Sequence, residues 1–182
     1  MPLVTNEMNI QSAFNKAGIT ELLPRDFNPQ VMVQVQYPGS GDEVAMGNTL
    51  EIGKTQEVPR VMFIPTDDNT QYTLLLVDPD APSKSDPKFG PYRHWVVGNI
   101  PGSTGLVETN TANELTPYMG PAPPPGSGPH RYIFLLYRQT REQHSFTPLN
   151  VQDRSKFSFS NFAQENQLEL IGANFFYAER KE

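Results

Sequence analysis

The chain has 182 residues, enough for one domain with a sizeable core, and its 37% hydrophobic and 10% aromatic content excludes a disordered polymer. Fourteen Lys and Arg against twenty Asp and Glu leave a net charge of −6, so the chain lacks the basic footprint of a nucleic-acid binder. It has no cysteine, which removes disulfides, thiolate metal sites and a cysteine nucleophile. No window approaches the ~18 apolar residues of a membrane span, and MPLVTNEMN lacks the basic start and apolar core of a signal peptide. A cytoplasmic, monomeric protein with no membrane span is expected.

From the N-terminus, residues 6–17 read as a helix with Ile10, Ala13, Phe14 and Ala17 at helical spacing and Gly18 at its end. Val31, Val33, Val35 and Tyr37 alternate with Met32, Gln34 and Gln36, which predicts a strand with one wetter face. Short strands are predicted at 48–52, 61–64 and 71–77, separated by the turn signals Gly47-Asn48 and Asp67-Asp68-Asn69. Leu74 to Val77 form a continuous apolar run that ends at Asp78-Pro79-Asp80-Ala81-Pro82, because proline supplies no N–H to a ladder. A loop rich in proline and lysine runs to Tyr92, and a second apolar strand starts at His94-Trp95-Val96-Val97.

Residues 101–116 read as polar and irregular. A loop of glycine and proline, YMGPAPPPGSGP, then leads into His130-Arg131-Tyr132 and a strand over 131–138. Arg138 to Arg154 is a polar connection, and Ser158 is suited to cap a short helix carrying Phe159, Phe162 and Ala163. The last strand is predicted at Gly172 to Tyr177. With no repeat and no linker, the chain reads as a single all-β sandwich domain, 1–182, with a few short peripheral helices.

Of the three histidines, His94 and His130 stand at matching loop-to-strand junctions. With Asp78, Asp80 and Tyr132 they form one expected polar cluster at three strand ends. Buried strand ends deliver polar groups to a pocket, where each charge must find a partner or shift its pKa. Imidazoles, a tyrosine hydroxyl and the N–H groups of the glycine-rich loop are all hydrogen-bond donors. A divalent-metal site on Asp78, Asp80, His94 and His130 is an alternative, though no compact metal-ligand spacing supports it. A serine hydrolase using Ser127 or Ser83 is another, though neither lies in a GxSxG elbow. His144 and the arginines 138, 141 and 154 read as surface. Trp95, Tyr118 and Phe134 read as core, and the prolines 123–125 as a rigid pocket wall.

DPDAPSKSDP at 78–87, HW at 94–95 and GPHRY at 128–132 resemble the signature blocks of the phosphatidylethanolamine-binding protein family. That family includes the Raf kinase inhibitor proteins, plant flowering regulators and fungal carboxypeptidase Y inhibitors, and the ending NFFYAERKE is most similar to the fungal and plant branches. The resemblance implies an antiparallel Greek-key β-sandwich with an anion pocket at one end. It places Asp78, Pro82, His94, His130, Tyr132, Gly120 and Pro123 in that pocket and Tyr92 at its entrance. It further implies no catalysis, metal or cofactor, a phosphoryl compound or phospholipid head group as ligand, and inhibition of a kinase or serine carboxypeptidase as output.

Asp78 then orients a histidine and favours its charged form, or receives an ammonium. Asp80 and Ala81 structure the loop, with Asp80 accepting from backbone N–H groups. Family members usually carry Arg-Glu at the position of Gly90-Pro91, in a bend whose peptide bond the resemblance implies to be cis. Before proline a cis bond costs only about 0.5–1 kcal/mol against roughly 3 elsewhere, so Gly90-Pro91 is predicted cis, with Ala81-Pro82 a second candidate. Mammalian members add a C-terminal helix partly covering the pocket, and this sequence ends about where it would start. Residues 1–9 are expected to contact a carboxypeptidase together with the pocket mouth.

Overall fold

The structure, a computed structural model, describes residues 3–140 and 144–182, with side chains in the first helix described from Asn9 onward. In chain order the elements are α1 (Leu3–Lys16), β1 (Gln34–Gln36), β2 (Asn48–Thr49), β3 (Arg60–Met62), β4 (Gln71–Asp78), β5 (Tyr92–Pro101), β6 (Asn113–Thr116), β7 (His130–Gln139), α2 (Phe159–Glu165) and β8 (Leu168–Ala178). Six strands form one sheet in the order β2-β8-β7-β4-β5-β6, and β1 pairs with β3 in a second. Every pairing is antiparallel except the short β2–β8 contact.

The apolar run in β4 is continuous because both faces of the large sheet are covered. Alternate side chains point to opposite faces. Leu74, Leu76, Trp95, Phe134 and Phe176 pack against Val33, Val35, Val61 and Phe63 from the small sheet's side. Leu75, Val77, Val96, Ile133 and Phe175 pack against Phe14 and Ala17 of α1 and Phe159 and Phe162 of α2. Burying each such side chain contributes roughly 1.5–3 kcal/mol. The helices expected to be peripheral therefore close the second core layer.

Helix α1 starts three residues before its predicted boundary, so the segment expected to reach a carboxypeptidase is helical from Leu3, while Met1 and Pro2 lie outside the described residues. The helix ends in a Schellman motif. Ile19 N–H donates to Phe14 O at 2.9 Å and Gly18 N–H to Asn15 O at 3.1 Å, with Gly18 at φ +66°. Ser158 caps α2, its Oγ accepting from Asn161 N–H.

Two strand predictions are corrected. The stretch 101–116 is not wholly irregular, since it contains β6, whose polar sequence suits an edge strand bonded to β5 alone. The last strand begins at Leu168, not Gly172. Gly172 marks a close approach inside it, because a Cβ there would lie 2.8 Å from Val31 O. Both predicted cis bonds, Ala81-Pro82 and Gly90-Pro91, are present.

Candidate functional site

The ends of β4, β5 and β7 bring Asp78, His94, His130 and Tyr132 together, all buried. Asp78 Oδ2 lies 2.7 Å from His130 Nδ1, and Asp78 Oδ1 accepts from Asp80 N–H at 2.7 Å. On the other side of the ring, His130 Nε2 lies 2.9 Å from Ser127 Oγ, which itself donates to Pro124 O at 2.7 Å. A hydroxyl has one proton. With that proton on Pro124, Oγ is left to accept from Nε2. Ser127 is then an acceptor that orients His130, not a nucleophile relieved of its proton by it. Ser83 is tied to Ser85 and Asp86 in its own loop.

His94 is held differently. Its Nδ1 donates to Met119 O at 2.7 Å, which leaves Nε2 as the ring's other nitrogen. Burial pushes its pKa below the ordinary imidazole range. The Met119 carbonyl and Asp78 oppose that shift, while Arg154 and His130 add to it. The half-buried Tyr92 ring sits 5.1 Å from His94, and its hydroxyl donates to Met119 Sδ. Pro82 is also half-buried, whereas Ala81, Gly120 and Pro123 are buried. Gly120 is required by packing, since a Cβ would lie 2.9 Å from Gln56 Cα. The glycine-rich loop offers less than expected. Gly126 N–H already donates to Arg180 O, and Ser127 N–H to Pro124 O.

Tyr132 supplies the exceptional group. Its ring stacks on His130 at 6.3 Å and meets His94 edge-on at 5.3 Å, and its hydroxyl is buried with no hydrogen-bond partner. Burial drives its pKa far upward, reinforced by the Asp78 carboxylate, which lies near the hydroxyl without meeting it in hydrogen-bond geometry, so it stays a neutral donor.

Asp80 does not belong to the cluster, which corrects the expected grouping. Its Oδ2 accepts from Arg131 N–H and Nε, both at 2.9 Å, and its Oδ1 accepts from Arg131 Nη2 at 2.7 Å. Burial alone would raise its pKa, but the Arg131 guanidinium and N–H outweigh it and hold the carboxyl below its usual range. Arg131 Nη1 donates onward to Ala17 O at 2.9 Å and Gly18 O at 3.3 Å, so the pair fastens the end of α1 to the sheet. Where Asp80 is expected to accept from backbone N–H groups of its own loop, it accepts from the backbone N–H and the guanidinium of Arg131 in β7.

Arg154 is corrected too. Instead of lying on a solvated face, it donates through Nη1 to Arg93 O, His94 O and Pro117 O at 3.3, 3.1 and 2.9 Å. Arg138 is half-exposed and pairs with Glu169, while residue 141 lies outside the described residues. His144 is half-buried and bonded to Asn166. Trp95 and Phe134 are core, and Tyr118 is partly buried beside it, donating to Thr55 O at 2.7 Å. Because Asp80 turns away, the four groups proposed as metal ligands do not converge. Among the described residues no group of three or more His, Asp or Glu is placed to hold a metal ion.

The His94 shift has a testable sign. Its folded pKa lies below the unfolded value of about 6.5, so protonation favours unfolding, and the stability it contributes is lost as pH falls below that value. A bound anion favours the imidazolium and offsets the loss. Sulfate, whose charge is constant here, is expected to raise the melting temperature more at about pH 5.5 than at about pH 7.5, and His94→Asn to shrink that difference. Equal stabilisation at both pH values in the parent protein would contradict this role for His94.

Comparison with known proteins agrees with this architecture. The family described as Phosphatidylethanolamine-binding protein matches residues 40–176. The carboxypeptidase Y inhibitor of Saccharomyces cerevisiae is 36% identical, over 93% of this chain and 94% of its own length. FLOWERING LOCUS T of Arabidopsis thaliana is also 36% identical, over 86% of this chain and 83% of its own. A crystal structure of carboxypeptidase Y inhibitor complexed with the cognate proteinase superposes with a TM-score of 0.82 at 35% identity, covering 96% of this chain and 97% of that one. With matching motifs, sandwich and strand-end cluster, the chain belongs to the phosphatidylethanolamine-binding protein family.

Proposed function

We propose that this protein binds a phosphoryl group between His94, His130 and Tyr132 without a metal ion, catalyses no reaction there, and acts by inhibiting a protein partner. The carrying observation is the unpartnered, fully buried Tyr132 hydroxyl beside the paired Asp78 and His130. Leaving such a donor unsatisfied costs roughly 1–3 kcal/mol, a cost that an anionic acceptor removes. His130 stacks on the same tyrosine ring with its two nitrogens engaged by Asp78 and Ser127, and His94 gains a proton for donation when negative charge enters. Both Asp78 oxygens already accept, from Asp80 N–H and from His130. That favours its role in orienting the histidine over one in holding an ammonium.

Tyr132→Phe keeps the ring contacts and deletes only the hydroxyl. It is expected to weaken O-phosphorylethanolamine binding about tenfold while leaving stability unchanged or raised by up to about 1 kcal/mol. Unchanged affinity, measured by calorimetry, would take the hydroxyl out of the site and with it the main support for this reading.

As partner, a serine carboxypeptidase is favoured over a kinase, because the yeast relative is a carboxypeptidase Y inhibitor and a similar chain is seen complexed with its proteinase. The protein is expected to inhibit yeast carboxypeptidase Y stoichiometrically, and deletion of residues 1–9 to abolish inhibition. Inhibition that survives the deletion would exclude the N-terminal segment as the contact.

A further inference from the structure

The outer face of the small sheet carries a second, unrelated feature. Val35 and Val61 point inward, while Gln34, Gln36, Arg60 and Met62 point to solvent. Along this face runs a groove of about 690 Å³, lined chiefly by Ile10, Met32, Met62, Ile64 and Leu106. An adjoining cavity of about 610 Å³ shares Ile10, Met32, Arg60 and Met62 with it. Both volumes fall in the range of small-molecule sites. Met32, Met62 and Ile64 are 58%, 36% and 85% exposed, a concentration of large apolar side chains that a chain of this charge has no packing reason to display. Methionines also adapt to the shape of a flexible chain.

Arg60 is the only charged residue lining the larger groove, and among the described residues it forms no ion pair. The strand edges beside the groove are already engaged. Phe63 N–H donates to Gly105 O and Val107 N–H to Val61 O along β3, and Val44 N–H donates to Val35 O along β1. An added peptide strand therefore finds no free ladder here. The groove offers apolar contact and one positive charge.

We propose that this groove binds a single-chain anionic amphiphile, a fatty carboxylate, with its hydrocarbon along Met32, Met62 and Ile64 and its carboxylate on the Arg60 guanidinium, whose paired N–H groups match a carboxylate. This site is separate from the cluster at Asp78 and His130.

Oleate, kept below its micelle concentration, is the probe. Titration of the isotope-labelled protein is expected to give saturable one-to-one amide shifts at residues 31–34 and 60–66. Arg60→Glu should weaken oleate binding about tenfold or more while changing that of uncharged oleyl alcohol about twofold or less. Met62→Glu should weaken both. Since both side chains are exposed, the variants should melt like the parent, and O-phosphorylethanolamine should bind them unchanged. No saturable binding, shifts confined to the histidine cluster, or equal loss of oleate and oleyl alcohol in Arg60→Glu would overturn the proposal. So would a parent dimer in sedimentation that Met62→Glu dissociates, because a second copy would then be the occupant.

Discussion

Arg131→Ala is expected to destabilise the fold by roughly 3–5 kcal/mol, the range for removing one partner of a buried ion pair. Arg131 makes three bonds to Asp80, and its guanidinium makes two more to the carbonyls that end α1. One of the three uses the backbone N–H and survives the substitution. What remains is a buried carboxylate with a single donor, and a helix terminus without its bridge to β7. Domains of this size are stable by about 5–15 kcal/mol, so the variant should sit near the folding threshold and express poorly at elevated temperature. Asp80→Ala should cost about as much, and the double variant clearly less than the sum, because it leaves no lone buried charge. Urea unfolding of the four proteins is the measurement. Additive losses would mean that the pair is not coupled and that Arg131 acts through packing alone.

Asp78→Ala is expected to have the second large effect, on both stability and binding. It strands His130 Nδ1 and the N–H of Asp80, two buried donors that share this carboxylate. The expected loss of stability is again roughly 3 kcal/mol or more. The binding effect separates orientation from charge. Deleting a carboxylate beside an anion site relieves repulsion, so a purely Coulombic view predicts tighter phosphoryl binding. The hydrogen-bond chain from Asp78 through His130 to Ser127 predicts the opposite, because His130 loses the group that fixes its ring. Affinity for O-phosphorylethanolamine should fall about tenfold to a hundredfold, the scale found when an orienting carboxylate behind a histidine is lost. Asp78→Asn should keep more stability than Asp78→Ala yet lose most of the binding. Binding that improves in either variant would show that Asp78 opposes the ligand.

The convergence of Asp78, His94, His130 and Tyr132 was legible because each lies where an apolar run meets proline or glycine, and such junctions become strand ends. Which acid serves which base was not. His130 and Arg131 are neighbours at the start of β7 and so face opposite sides of the sheet. Asp78 closes β4, whereas Asp80 lies beyond Pro79 in the following turn, and the turn's path decides that Asp78 meets the histidine and Asp80 the arginine. Strand alternation in His130-Arg131 held a hint that the two bases need separate partners.

Other misses share a cause. β6 is polar because it is an edge, and edge strands lack the apolar signal by which interior strands are recognised. Gly172 looked like a strand boundary, yet it admits the backbone of residue 31, a contact between distant segments. Arg154 looked solvated because its partners are carbonyls of β5 and the loop after β6, and no side chain advertises a carbonyl. The outer groove is likewise assembled from α1, β1, β3 and the loop near residue 105, none of which is distinctive alone.

The most direct test of the phosphoryl pocket is an NMR titration of the histidine ring signals with O-phosphorylethanolamine, run with and without a chelator. The arrangement predicts saturable shifts of the His94 and His130 rings that are identical with chelator present, while His144, bonded to Asn166 elsewhere, stays still. Shifts that vanish with chelator would mean that a metal mediates binding. Silent His94 and His130 rings would mean that this cluster is not the site.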